Sequence, residues 1–560
     1  MFFQLESLGT FLEPQCGGCK CSNCPVPGSK YSFTQQKQYD TIDKNLNYDS
    51  ICKCYRTIYP WLTARSALPK NEKQALQWLH SQEKSLSREP VLAEDVCEQI
   101  KAMIERRSAR LVPKKELASW VGDYHYLAMV CVKGKKGKTR VCFDASRKQK
   151  GFPSMNMCLM KGPDRFINDL LSVILAFRNG RVGCAADIVK FHNQVRLQEE
   201  DVHMQRFLWR GMDTEAEPQT FAVTVNNFGV RAANSIATIA LHKSADEFAS
   251  VYPIESREVK EQTYVDDELT AASDMTEARI KTSRWDEICN HAGMPNKGWT
   301  FSGDEASDVE LGSGGNNIVK VLGFRWIPKL DCFVFIVCVV LTVEQGGQRD
   351  ITTVSELELL ADQVILNRRV LLSNVKRIFD PAGLVAPFIL PSKLLMRKTW
   401  TNDKNNPWQW DDPLPEDQRK EWISFLKLLL SLNELSIPRS LWPEGDIIGR
   451  PILVIFSDYS ISAFVAAAYI RWQLVGGGYW SRLIMAKSKI SPKNIMSIPR
   501  MELCGAVLGN RIKKFLVKET KFDFAKVYNL VDSSTVLGYL YKECGLFGPF
   551  EGVRVAEVQS

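Results

Sequence analysis

Thr263-Tyr-Val-Asp-Asp-Glu-Leu-Thr270 sets two adjacent carboxylates, Asp266 and Asp267, at the tip of a short apolar hairpin. No other stretch constrains the fold as much. Asp-Asp in isolation is usually a solvated turn. The alternative is a metal-binding pair, because phosphoryl transfer gains most from two cations roughly 3.5–4 Å apart that stabilise the attacking and leaving oxygens together. Oxygen ligands suit Mg²⁺, with Mn²⁺ a second choice. The surroundings decide between these readings.

At 560 residues the chain has room for about three or four domains, each burying a core. Its 45% hydrophobic and 24% charged content fits folded globular protein rather than disorder. The net charge of +8 is modest for this length, so it permits a phosphate-binding groove without requiring one. The longest apolar run, Phe333 to Leu341, is too short to span a bilayer and is rich in β-branched residues, so it reads as one buried strand. Met1-Phe-Phe-Gln-Leu-Glu6 lacks the charged start and long apolar core of a signal peptide, which predicts an intracellular protein, with cytoplasm and nucleus both open.

Most of the sixteen cysteines lie singly in apolar segments, as Cys142, Cys184 and Cys338 do, and read as small buried hydrophobes. Cys16-Gly-Gly-Cys19-Lys-Cys21-Ser-Asn-Cys24 is different: two C-x-x-C pairs lie almost back to back. Four thiolates there could enclose one Zn²⁺, although the single residue between the pairs is tight, and a reduced loop is the other reading.

Up to about Lys70 the chain reads as a polar, irregular arm laid over something else, broken by Pro60 and Pro69. Asn71 to Arg110 turns helical, with Leu76, Leu79, Leu86, Val96, Ile100 and Met103 at helix-compatible spacings. Leu127–Val132 and Arg140–Phe143 read as strands around a basic tip that starts at Lys133. A solvated hairpin is the default there, while a loop of lysines would also suit a clamp over phosphates. A helix is expected over about 164–178, then a buried strand Val182–Asp187 ending in a carboxylate, a better site candidate than an acid on a charged face. Phe228-Gly229 precedes an alanine-rich helix through Phe248, and the Asp-Asp hairpin follows. Val319 to Trp326 reads as one further strand. A second helical region covers about 354–432, interrupted near Asp380–Gly383 and at Pro387, and stretch 400–413 reads as a surface turn. From Ile452, three strands and a helix opened by Pro499 suggest a separate α/β domain.

Strand-end Asp187, the Phe228-Gly229 turn before a helix, and Asp266-Asp267 on a hairpin, in that order, resemble the palm of a reverse transcriptase. Nearly the whole chain resembles the polyproteins of BEL/Pao-type long-terminal-repeat retrotransposons. The resemblance rests on Cys16 to Pro25, Tyr59-Pro-Trp61, Arg140-Val-Cys-Phe-Asp-Ala-Ser146, Lys161-Gly-Pro163, Gln205 to Arg210 and Ile378-Phe-Asp-Pro381. It implies that Asp187 and Asp266 ligate catalytic Mg²⁺ while Asp267 supports the site. Lys133 and Arg140 become candidate triphosphate contacts, Gly229 a point of close backbone approach to nucleotide and template, Lys297 a proton donor to pyrophosphate, and Gly323 a primer contact. Asp458, Glu502 and Asp532 resemble, in order, the Mg²⁺-binding acids of a ribonuclease H fold, carried by Phe456-Ser-Asp-Tyr-Ser460 and Ile498-Pro-Arg-Met-Glu-Leu503.

Some positions depart from the family. Ile188-Val-Lys-Phe-His-Asn-Gln194 puts His192 where an aromatic normally screens the sugar 2′ position, unless Phe191 shifts by one, and exposes discrimination against ribonucleotides. Ala233-Asn234 replaces the family's Ser-Pro, and Tyr459 replaces a small residue. The family's further Asp, in an Asn-Pro-Ala-Asp-type motif, does not follow before Ser560, so the chain is expected to be a fragment of a larger polyprotein with an incomplete ribonuclease H region.

The expected fold is α+β and multidomain: a cysteine-containing arm (1–70), reverse-transcriptase fingers and palm (71–345), a helical connection or thumb (346–445) and a C-terminally truncated ribonuclease H-like α/β domain (446–560). The expected activity is RNA-directed DNA polymerase, with RNA template, DNA primer, RNA–DNA hybrid and dNTPs as partners and no membrane. Two alternatives stay open: a decayed or host-retained copy that binds RNA or hybrid without catalysis, and a zinc-binding interaction module at the N-terminal cysteines.

Overall fold

The computed structural model describes residues 7, 9, 10, 31–133, 139–163, 167–304, 319–343, 347–400, 409–492 and 496–560. Cys16, Cys19, Cys21 and Cys24, and the tip of the basic hairpin, lie outside the described residues. The fold is multidomain α+β, built around three large hydrophobic cores.

The first core gathers residues from Tyr31 to Met294. The supposedly irregular arm contributes to it in an ordered way. Ser32 and Gln35 form a capping box that starts helix Phe33–Asn45, and strand Cys54–Thr57 pairs in parallel with Arg196–Leu197. Buried Asp201 then fixes the arm by accepting hydrogen bonds from the Tyr59 amide, Trp61 Nε1 (2.9 Å) and Arg65 Nε (2.7 Å). Tyr59-Pro-Trp61 is thus an anchor, and polarity concealed it because its partner lies some 140 residues away.

Strands β1 (Ala128–Lys133) and β2 (Thr139–Asp144) form the expected antiparallel hairpin. Helix α1 (Leu170–Arg178) starts later than expected, at a cap in which Asp169 accepts from the Leu171 and Ser172 amides. Strand β3 (Val182–Asp187) follows, then α2 (Ala233–Glu247) and a helix that the sequence reading missed, α3 (Pro253–Gln262), opened by its proline. Strands β4 (Thr263–Tyr264) and β5 (Asp267–Ala272), helix α4 (Met275–His291) and β6 (Thr300–Phe301) complete this unit. The sheet runs β4-β5-β3-β6, so β3 is interior and its carboxyl end meets the hairpin tip.

Two expected strands are broken. Val319–Trp326 is a hairpin turning at Leu322-Gly323, where Gly323 packs on the Phe379 ring. Phe333–Leu341 splits into Cys332–Val334 and Val339–Val343, in different sheets, because the Asn433 side chain takes both the N–H and the C=O of Val337 and so replaces a strand partner. Residues 335–432 then enclose the third core, with helices Val354–Leu360, Arg368–Val375, Ala386–Lys398 and Glu416–Leu430. Pro387 opens the third of these helices instead of interrupting it, since a proline in the first turn lacks only an N–H that has no helical partner. No helix among the described residues is long and apolar enough to cross a membrane.

The last unit is a sheet ordered β9-β8-β7-β10, made of β7 (Ile447–Tyr459), β8 (Ala463–Leu474), β9 (Tyr479–Ile490) and β10 (Lys526–Leu530), with β10 parallel to β7. Helix α5 (Ile498–Glu519) packs on it, and α6 (Pro549–Gln559) packs on α5. Its core is continuous with α1 and β5. Fully buried Arg178 donates across this seam to the carbonyls of Arg439 (2.9 Å), Ile484 (2.7 Å) and Leu483 (3.0 Å), while buried Arg439 is held by Asp331 at 2.7 and 2.9 Å. Such guanidinium groups are tolerated inside because their N–H groups find acceptors.

Candidate active site

Antiparallel pairing sets Asp187, the last residue of β3, directly opposite Asp267, the first of β5. Tyr264 faces Asp267 across the hairpin, which leaves Val265 and Asp266 as its two-residue tip. Val265 has φ +60°, a left-handed conformation that costs a β-branched residue about 1–2 kcal/mol. The strained tip turns Asp266 back over β3: the Ile188 amide donates to the Asp266 carbonyl at 2.8 Å. Burial raises the Asp266 pKa and the negative charge of Asp187 raises it further, with His192 and Lys297 offsetting part of this. Lys297 Nζ lies 2.7 Å from Asp187 Oδ1, and the Lys297 amide donates to the Asp187 carbonyl at 3.0 Å. One lysine therefore touches this acid twice.

Phe191 is buried in the first core, so His192 is the ring that faces Asp266. Burial lowers the His192 pKa, against the pull of Asp266 and a hydrogen bond with Asn234, the residue that departs from Ser-Pro. Its ring stands edge-on to exposed Phe228 at 5.8 Å. Gly229 has φ +101°, and a Cβ there would come 3.2 Å from the Phe143 carbonyl, so the turn excludes side chains on two counts. Asn156 clasps this turn: its Nδ2 donates to the Gly229 carbonyl at 2.9 Å and its Oδ1 accepts from the Arg231 amide at 2.7 Å. Sequence reading missed Asn156, because nothing in its neighbourhood pointed to a turn some seventy residues on. Arg140 is exposed in β2 opposite Val132, and Lys133 ends β1.

A second centre forms in the last unit. Asp458 near the end of β7, Glu502 in the first turns of α5 and Asp532 just beyond β10 bring one carboxylate oxygen each within 4.8 Å of one another. Parallel pairing of β7 with β10 aligns the two aspartates at one end of the sheet. Helix α5 can approach because Gly505 and Gly509 share a face with Glu502; a Cβ on Gly505 would lie 3.2 Å from the Asp458 carbonyl. Burial raises the Glu502 pKa, and the charges of Asp532 and Asp458 raise it further.

Glu116, Glu199 and His203 also cluster, yet their chemistry does not suit a metal. Arg206 donates to His203 Nδ1 at 3.0 and 2.7 Å, so the proton sits on Nε2, which faces Glu116 at 3.2 Å, and no imidazole lone pair is left for a cation. Arg110 bridges the two glutamates, at 2.7 Å from each.

Residues 367–533 match the Pao retrotransposon-like RNaseH-like domain family. No curated protein matches the chain. Among solved structures, the foamy viral protease-reverse transcriptase in complex with RNA/DNA hybrid is similar at 14% identity and a TM-score of 0.43, over 79% of this chain and 50% of that one. The foamy viral protease-reverse transcriptase dRH in complex with ds DNA is similar at 12% identity and a TM-score of 0.45, over 98% of this chain and 81% of that one. The chain thus spans half the length of the first of these proteins. The matched domain holds Asp458, Glu502 and Asp532, so this part of the chain is similar to the Pao retrotransposon-like family.

Proposed function

We propose that this protein is an RNA-directed DNA polymerase, with a right-hand palm formed by the β4-β5-β3-β6 sheet and with β1 and β2 in the fingers. The observation that carries the reading is the convergence of Asp187, Asp266 and Lys297 at one hairpin tip. The reaction is template-directed attack of a primer 3′-hydroxyl on an incoming deoxynucleoside triphosphate, with pyrophosphate leaving.

Asp187 and Asp266 offer carboxylate oxygens only, and their mutual repulsion raises Asp266, so the donor set fits hard divalent cations such as Mg²⁺. Bound there, the cations would supply charge stabilisation at the reacting oxygens. The chain's own groups position the reactants. Gly229 lets the backbone approach nucleotide and template, Arg140 and Lys133 meet phosphates, His192 borders the sugar, and Gly323 lies towards the primer. Asp267 supports the pair, and Lys297 offers an ammonium, and with it a proton, to the leaving pyrophosphate. Asp458, Glu502 and Asp532 are likewise an all-oxygen set suited to Mg²⁺, for cutting the RNA strand of a hybrid.

Primer extension on an RNA template with Mg²⁺ tests the reading. Extension that is abolished by Asp266→Asn supports it, and absence of extension by the wild-type chain overturns it. The second reading, a copy that binds RNA or hybrid without catalysis, draws on the His192–Asn234 substitution beside the carboxylates. It predicts hybrid binding that Asp266→Asn leaves intact and no extension by either protein.

A further inference from the structure

Lysine is a poor candidate for a precisely placed charge, because its ammonium rides on a flexible four-carbon stem. Lys297 nevertheless sits 2.7 Å from Asp187 with its side chain 42% exposed, so its placement depends on what holds its backbone. Pro295-Asn-Lys-Gly298 crosses the end of β3. The Val189 amide donates to the Pro295 carbonyl at 2.9 Å, Ile188 and Asn296 form an antiparallel bridge, and the Lys297 amide donates to the Asp187 carbonyl at 3.0 Å.

The side chain of Asn296 ties this loop to the rest of the unit. Its Nδ2 donates to Asp286 Oδ1 at 2.7 Å and to Glu268 Oε2 at 3.2 Å, and its Oδ1 accepts from the Gly298 amide at 3.0 Å. Both N–H groups and one lone pair of a single amide are thus used, on α4, on β5 and within the loop itself. Each partner is itself fixed. Asp286, on α4, also accepts from Trp299 Nε1 at 2.8 Å, and fully buried Glu268, on β5, accepts the Cys289 thiol at 3.1 Å. Residue type is dictated as well. An aspartate here would set a third carboxylate against Asp286 and Glu268, and an apolar residue would leave the buried Glu268 Oε2 without its donor.

We propose that Asn296 is a positioning residue, locking the loop so that the Lys297 ammonium stands against Asp187. The polymerase role of that ammonium rests on the function proposed above; the lock itself does not. Glu268 follows Asp267 on β5, which pairs with the Asp187 strand β3, so the same amide ties the sheet that carries Asp187 and Asp267 to the loop that carries Lys297. Removing it lets the two drift relative to each other.

Two measurements test this, one of them independent of catalysis. In the first, acetylation of Lys297 by acetic anhydride is timed by mass spectrometry in the wild-type chain, Asn296→Ala and Asn296→Ser, with thermal unfolding as the control for folding. Lys297 reacts several-fold faster in Asn296→Ala than in wild type, and Asn296→Ser, which keeps one donor, falls between them. Equal rates in all three proteins overturn the proposal. In the second, single-nucleotide addition is measured for wild type, Asn296→Ala, Lys297→Ala and the double variant. Asn296→Ala slows addition roughly tenfold without changing primer–template affinity, and adds no further loss on top of Lys297→Ala, as residues in one coupled unit do. Additive losses would mean that Asn296 serves only the fold and would overturn the proposal. If wild type adds no nucleotide, the polymerase reading fails, and the acetylation rates alone decide the positioning role.

Discussion

Asp187 and Asp267 face each other directly across the β3–β5 pair, so both side chains leave the sheet on the same face, while Asp266 reaches the site from the strained tip one residue earlier. The charges that bear on Asp266 are Asp187, His192 and Lys297, whereas Asp267 bears on Tyr264. The two adjacent aspartates are therefore not equivalent. Asp266→Asn is expected to cut nucleotide addition by about a thousandfold or more, and Asp267→Asn by about tenfold to a hundredfold, on the scale of removing a principal against an auxiliary electrostatic contact. Rapid-quench single-turnover rates at saturating Mg²⁺ check the order. Equal losses would show that the face shared with Asp187 matters more than the tip.

His192 borders the site with a polar ring held by Asn234, while Phe191 is spent in the core. A hydrogen-bonding edge rejects a ribose hydroxyl less strongly than an apolar one does. His192→Phe is expected to raise the preference for dNTP over rNTP by on the order of ten- to a hundredfold. The ratio of kcat/KM for the two nucleotides on one template gives the answer.

Gly383 has φ +72°, and a Cβ there would lie 1.7 Å from the Ala486 carbonyl. The surrounding Asp380-Pro-Ala-Gly383 turn is seated on β9: the Ala486 amide donates to the Ala382 carbonyl at 2.9 Å, and Lys487 Nζ donates to the Pro381 carbonyl at 2.8 Å. Gly383→Ala should therefore unseat the turn and destabilise the protein by about 4 kcal/mol. A lowered Tm together with new proteolytic cleavage between 376 and 386 is the expected result.

Burial, and then the cations Arg206 and Arg110, hold the His203 pKa down from its ordinary 6.5 to about 4. The unfolded chain takes up this proton as pH falls below about 6.5, while the folded chain resists until about 4. The stability linked to His203 is thus present at neutral pH and lost on acidification through that window, by on the order of 2 kcal/mol. Tm measured from pH 7.5 down to 4.5 should fall less steeply in His203→Gln than in wild type.

Much of the site was legible because its signals are local. The alternation around Tyr264-Val-Asp-Asp267, the strand ending at Asp187 and the proline-opened helix carrying Glu502 each lie within a few residues, and they form the hairpin, strand and helix expected of them. Legibility stopped where a remote side chain stood in for a backbone partner. Asn433 broke the apolar run at Val337, Asp201 ordered the arm around Trp61, and Asn156 clasped the Gly229 turn, each at a sequence distance over which no period carries information.

By itself the sequence determined the chemistry available: which acids stand at strand ends, which glycines permit close approach, and a basic residue two positions beyond a proline at 295. Only the tertiary structure decided that Asp187 meets Asp266, that His192 and not Phe191 faces them, that Lys297 reaches Asp187, and that Asp458, Glu502 and Asp532 converge. The reason is physical. Side-chain period and turn chemistry act over a few residues, whereas the register between distant strands is set by burying all their apolar faces at once, and a slip of one residue would have turned strand residues such as Asp187 and Asp458 to the opposite face.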